Sequence, residues 1–253
     1  YDVAKKISSS LLSENINDYQ KHLIYILLAH IYKDESNDEE RNKYFDLAIT
    51  HSSNNIQKNK IYYSLLELSE EEENHDLAVK YINEIEKNSL NNNLNEELLS
   101  KWIKYNRNDG KYNMVLEKLD DLLGQTNYNK MLSYKIEKVK TYLIMKDYKK
   151  SQELIEEIIN EYSENNIYKK HLSEVHFMLG EIYLQIHFNF EYADSNFHIS
   201  TDLMPSSEFS KKSAKYIDYI AKFFTVEDEI LYQKTIEEID VSNEESNEFM
   251  VPI

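Results

Sequence analysis

The residues of this chain whose types could do chemistry are eight histidines, a run of four glutamates and a scatter of serines. Their spacing decides against most of that chemistry. His22, His30, His51, His75, His171, His176, His187 and His198 form no His-Glu-x-x-His pair, and His171 and His176, five places apart on a helix, turn to different faces. Glu70 to Glu73 lacks the alternating oxygen ligands and central glycine of a calcium loop, so the run reads as a solvated helix end. With 3 glycines in the chain there is no phosphate-cradling Gly-rich loop and no nucleophile elbow, and no serine stands in a recognisable frame with a histidine and an acid. Cysteine is absent, which removes thiolate nucleophiles, disulfides and cysteine-based zinc sites. The expectation is a protein that is not an enzyme and uses neither a metal nor a cofactor.

The formal net charge of −17 repels a phosphate backbone, so nucleic acid is not an expected partner. The longest apolar run, Leu23 to Ala29, falls far short of the roughly 20 residues that cross a bilayer, so no direct membrane span is expected. What remains is a chain that works by contact with protein.

The elements that would present such a contact are helices. Only 3 Gly and 2 Pro occur in 253 residues, too few for the turns of a sheet protein, while Asn-rich stretches at 15–18, 54–59, 88–95 and 165–166 read as connectors. The helices repeat. His176-x2-Leu179-Gly180-x2-Tyr183 is followed by Ala193-x3-Phe197-x2-Ser200-x4-Pro205, and Tyr25-x2-Leu28-Ala29-x2-Tyr32 by Phe45-x2-Ala48. Tyr62, Trp102 and Tyr142 continue the first motif. Phe45, Ile82, Leu119, Ile155 and Phe197 mark the middle of each second helix at separations of 37, 37, 36 and 42 residues. Large residues on the first helix form a stripe, and small ones such as Gly180 admit the second helix closely. Asp109-Gly110-Lys111-Tyr112 and Lys146-Asp147-Tyr148 read as turns between paired helices.

This pattern resembles the tetratricopeptide repeat over about residues 19 to 224. The resemblance implies an all-α, right-handed superhelical solenoid of about five helix-turn-helix repeats plus flanking helices. Residues 1–18 then hold a partial repeat or capping helix and linker, 19–205 the five repeats, 206–240 C-terminal capping helices and 241–253 an acidic tail. Ser206 to Phe224 should be helical with Ala214, Ile217 and Ile220 inward, and Thr225 should N-cap a last helix, Val226 to Ile239.

In such solenoids the first helices line a concave face. The register places Tyr63, Glu67, Lys104, Arg107, Ile136, Lys140, Phe177 and Glu181 there as candidate contacts with a protein or peptide, joined by Ile26, His30, Lys33, Glu70, Ser100, Leu143 and Leu184. Lys104, Arg107 and Lys140 would form a basic patch for an acidic segment. The stretch Ala193-Asp194-Ser195-x-Phe197 to Pro205-Ser206-Ser207-Glu208-Phe209-x4-Ala214 resembles bacterial envelope repeat proteins, the outer-membrane-assembly lipoproteins of the BamD type and the Tol-associated coordinators. That resemblance implies a scaffold of a cell-envelope assembly, periplasmic or outer-membrane-associated ahead of cytoplasmic. The alternative is the peptide-sensing receptor domain of a Gram-positive regulator, whose repeats are also rich in Asn and Tyr.

Overall fold

A computed structural model of the chain describes residues 1–90, 94–125 and 128–226. Among them there is no strand. The helices are α1 (Asp2–Leu12), α2 (Asp18–Asp34), α3 (Asp38–Thr50), α4 (Asn55–Glu71), α5 (His75–Asn88), α6 (Glu96–Asn108), α7 (Tyr112–Gln125), α8 (Tyr128–Ile144), α9 (Tyr148–Tyr162), α10 (Lys169–Gln185) and α11 (Phe190–Leu203). A twelfth, α12, is described over 208–226, and a short 3-10 turn, Asn166–Tyr168, precedes α10.

The abundant asparagine has a mechanical use. Asn17, Asn37, Asn54, Asn74, Asn95 and Asn189 stand at helix N-caps, each accepting a bond from the backbone N–H three residues on, and Asp147 does the same for α9. Each cap satisfies one of the donors that a helix start leaves without a partner.

The turns inside the helix pairs share one backbone device. Ser36, Glu73, Gly110, Lys146 and Phe188 all have positive φ, between 52° and 72°, at the same 37, 37, 36 and 42 residue separations as the second-helix anchors. In the first four turns the next residue donates its N–H to the carbonyl five back, as in Asn37 to Tyr32 and Asp147 to Tyr142 at 2.9 Å, closing a Schellman motif. The fifth is one residue wider, with Asn189 bonding Tyr183.

The chain forms two compact units, Tyr1–Val115 and Leu116–Ile253. In the first, α2 packs on α3 and α4 on α5. Ala29, Phe45, Ala48, Ile61, Leu65 and Leu68 form its core. In the second, α8 packs on α9 and α10 on α11, and Ile155, Ile158, Val175, Leu179, Phe197 and Ile220 belong to one buried cluster. All five second-helix anchors are at most 1% exposed, which bears out the repeat register. A Cβ on Gly180 would stand 2.6 Å from the Phe197 ring, so the close crossing expected there is present. The longer last spacing holds a packed turn rather than slack: Tyr168 meets Tyr162 edge-on at 5.1 Å.

Two expectations need correction. Thr225 lies inside α12, where its hydroxyl donates to the Ala221 carbonyl at 2.9 Å, so it does not start a helix. Ala214 is exposed, because the buried stripe of α12 runs through Ser210, Ser213, Ile217 and Ile220 and leaves Ala214 about 100° away. The glutamate run is the solvated end of α4, with Glu71, Glu72 and Glu73 exposed, and Glu70 bonds Lys101, Glu71 bonds Lys33 and Glu72 bonds Arg41. The expected last helix from Val226 to Ile239 and the acidic tail lie outside the described residues, apart from Val226.

Candidate functional site

Of the first-unit residues read as partner contacts, Tyr63, Glu67 and Lys104 are exposed and Arg107 is half-buried on α6. In the second unit Lys140 is engaged with Glu137 at 3.0 Å and Glu174 at 2.7 Å. Burial alone would push the Lys140 ammonium down, but the two carboxylates hold it above its ordinary value. It is therefore not an open point for an acidic segment.

Ile136 and Phe177 do not line an open face, being 2% and 6% exposed. The reason is periodicity in one case and cover in the other. Leu132, Ile136 and Val139 fall at i, i+4 and i+7 on the buried stripe of α8. Phe177 is covered from α12, with Phe209 and Tyr216 at 5.7 and 6.1 Å between ring centroids.

Glu181 is different. It stands on α10, half-buried, at the wall of a cleft of about 510 Å³ lined, among the described residues, by Phe177, Glu181, Lys212, Lys215, Tyr216 and Tyr219. A smaller cleft of about 200 Å³ is lined, among the described residues, by Leu143, Tyr148, Glu181, Ile182, Gln185 and Ile186. Pro205 breaks the chain after α11, and Ser207 Oγ then accepts the Ser210 N–H at 2.9 Å, starting α12 so that its first turns pass alongside α10. Ser173 Oγ on α10 lies 3.1 Å from Ser207 Oγ, and these small side chains let the helices approach. Tyr216, stacked on Phe197 at 4.8 Å, donates its hydroxyl to Glu181 Oε1 at 3.2 Å.

Burial pushes the Glu181 carboxyl above the usual glutamate value, against the opposing pull of the Tyr216 hydroxyl and the Lys212 charge. Lys212 does not bond Glu181. Its ammonium goes to Glu208, one turn back on its own helix, at 2.5 Å.

The first unit carries the same constellation in a closed form. Glu181 is followed at 27, 31 and 35 residues by Glu208, Lys212 and Tyr216, and Glu70 at the same intervals by Glu97, Lys101 and Tyr105. There Lys101 reaches Glu70 at 2.9 Å and leaves Glu97 at 3.6 Å, while Tyr105 donates to Glu70 at 2.6 Å. Burial works to raise the Glu70 carboxyl, but the bonds from Tyr105 and Lys101 outweigh it and hold the group below its ordinary value. Burial and the bond to Glu70 push the Tyr105 phenol up to about 12.

The sequence marked Phe177 and Glu181 but missed Lys212, Lys215, Tyr216 and Tyr219. They sit on a helix read as a cap, whose inward face was not projected into the groove; the shared 27, 31 and 35 spacing is the signal that finds them. Among the described residues no three His, Asp or Glu side chains are grouped to hold a metal ion, and no helix is long and apolar enough to cross a membrane.

These stacked helix pairs, with one register of anchors, turns and caps, define a helical-repeat protein. The fold is that of the tetratricopeptide-repeat solenoids. It superposes on the C-terminal part of a TPR repeat-containing protein from Cytophaga hutchinsonii with a TM-score of 0.53 and 14% identity, over 86% of this chain and 81% of that one. It is also similar to YrrB, described as a TPR protein with an unusual peptide-binding site, at TM-score 0.46 and 12% identity over 82% of this chain and 97% of that one. The APC/C hetero-tetramer Cut9–Hcn1 gives TM-score 0.45 and 14% identity over 79% of this chain, which spans only 36% of the matched chain. No family model matches the sequence, and no curated protein does.

Proposed function

We propose that this chain is a non-enzymatic scaffold that holds a segment of another protein, with the Glu181 cleft as the contact in the second unit. The observation that carries this reading is the cleft itself. It combines aromatic walls at Tyr216 and Tyr219 with a half-buried acid that has a tyrosine hydroxyl and no ion-paired lysine, which is the mixture of apolar surface and few oriented polar groups that binding sites use. The setting that the sequence supports best is a bacterial cell-envelope assembly. The seam at Pro205, Ser207 and Phe209 supports it, since each residue has a definite part there: chain break, helix cap and cover for Phe177.

The test is affinity capture from native extract with the wild-type chain and with Tyr219→Ala, an exposed position whose loss spares the core. Partners recovered with the wild type should be depleted with the variant, and cross-links should map to α10 and α12. Envelope proteins among them would support the envelope setting, and short secreted peptides the receptor alternative. Equal recovery by both chains would remove the cleft from the reading.

A further inference from the structure

We infer that the Glu181 cleft accepts the cationic side chain of a partner polypeptide, a lysine or an arginine, in the place that Lys101 takes against Glu70 in the first unit. The inference rests on the protein-binding reading and names the chemistry of its contact.

The molecule supplies its own template. At Glu70 the repeat shows what this arrangement of a carboxylate, a tyrosine hydroxyl and an ammonium looks like when complete: Tyr105 and Lys101 both bond the acid, at 2.6 and 2.9 Å. At Glu181 the tyrosine is in position and the lysine is not, because Glu208 holds it. Tyr216 occupies only part of what an ionised carboxylate can accept. The space where the ammonium would stand is the cleft. A half-buried carboxylate with no cation bonded to it is unfavourable, and an incoming cation relieves it.

The walls suit such a guest. Tyr219 is exposed and Tyr216 half-buried, so the aliphatic stem of a lysine or the plane of a guanidinium can lie against their rings while its charge reaches Glu181. Lys212 and Lys215 stand exposed at the rim, where water screens them, and Lys212 is already neutralised by Glu208. An acidic guest would meet the Glu181 carboxylate at the inner wall, and an apolar guest would leave it unpaired. The chain's net charge of −17 also draws cationic segments toward the surface before contact.

The experiment uses the full chain and four acetylated, amidated pentapeptides with Arg, Lys, norleucine or Glu at the centre of a Gly/Ala frame. Binding is followed by NMR shifts of the Glu181 side-chain carboxyl carbon and of α12. The Arg and Lys peptides should shift these signals and lower the Glu181 pKa; the norleucine and Glu peptides should bind roughly tenfold more weakly or worse. Glu181→Gln should abolish the preference. Glu208→Gln, at an exposed position, should weaken binding of the Arg and Lys peptides by freeing Lys212 to close on Glu181. The inference is overturned if norleucine binds as well as lysine, or if Glu181→Gln retains the preference. Should the peptides fail to discriminate while captured partners still cross-link to the cleft, the cation is wrong and the scaffold reading stands. If neither binds, both fall.

Discussion

Glu70 and Glu181 stand about one helical turn apart in the repeat register, one in each compact unit, yet each is followed by the same three residue types at the same distances downstream. One acid is satisfied and the other is not. Lys101 spans to Glu70 and lies 3.6 Å from its own Glu97; Lys212 turns to Glu208 at 2.5 Å and leaves Glu181 with a tyrosine hydroxyl. The carboxyl pKa values move in opposite directions: burial raises Glu181, while the bonds from Tyr105 and Lys101 outweigh burial and lower Glu70. A single lysine's choice between two glutamates thus turns a structural clamp into an open acidic cleft. The comparison teaches that one set of side chains at one spacing can be closed in one helix pair and open in another.

The two units share one register of helix-pair anchors, and the largest expected effect tests that. In the first unit Ala29 and Phe45 belong to one buried cluster; in the second Gly180 faces Phe197. Gly180→Leu should cost about 1–3 kcal/mol, because the ring cannot retreat inside a filled core. A variant melting at the wild-type temperature would break the register. The turns offer a smaller test of the same kind. Gly110→Ala should cost about 1 kcal/mol from left-handed backbone strain alone, since no atom lies within 4 Å of the new Cβ. Lys146→Gly, in the second unit, should gain a similar amount by releasing that strain.

The acids themselves should respond with opposite signs. Glu70→Gln removes a charge-assisted bond and an ion pair and should cost about 1 kcal/mol by denaturant unfolding. Glu181→Gln at neutral pH should cost nothing or stabilise, because it removes a partly desolvated charge. Acid titration sharpens this. The Glu70 carboxyl is depressed in the fold, so its contribution is present above the unfolded glutamate pKa of about 4.3 and is lost as pH falls through the lower folded value. The Glu181 carboxyl is raised, so stability falls as pH climbs from about 4.3 through the higher folded value, a slope that Glu181→Gln should erase. The smallest effect is expected from Glu208→Gln, a slight gain in stability as Lys212 transfers to Glu181.

Much of this architecture is legible in the sequence. Phe45, Ile82, Leu119, Ile155 and Phe197 are found by apolar spacing alone, since burial of a helix face imposes it. The left-handed turns are not: four of the five positions carry Ser, Glu, Lys or Phe where glycine would have signalled the conformation. Glu181 is legible as a groove position, but its open state is not, because it depends on a rotamer of Lys212 set by Glu208. Ile136 misleads for a related reason. The register of that unit starts on Lys135, a buried lysine held by Glu157 and Glu161 at 2.7 and 2.5 Å, so the next residue turns inward instead of toward solvent.

The most direct test of the account is a carbon-detected NMR titration of the glutamate side-chain carboxyls in the wild-type chain, with Glu70 and Glu181 assigned through their glutamine variants. The account requires Glu70 to titrate below an ordinary glutamate and Glu181 above it. Equal values, or the reverse order, would mean that Lys212 closes on Glu181 as Lys101 closes on Glu70, and the open cleft would be contradicted.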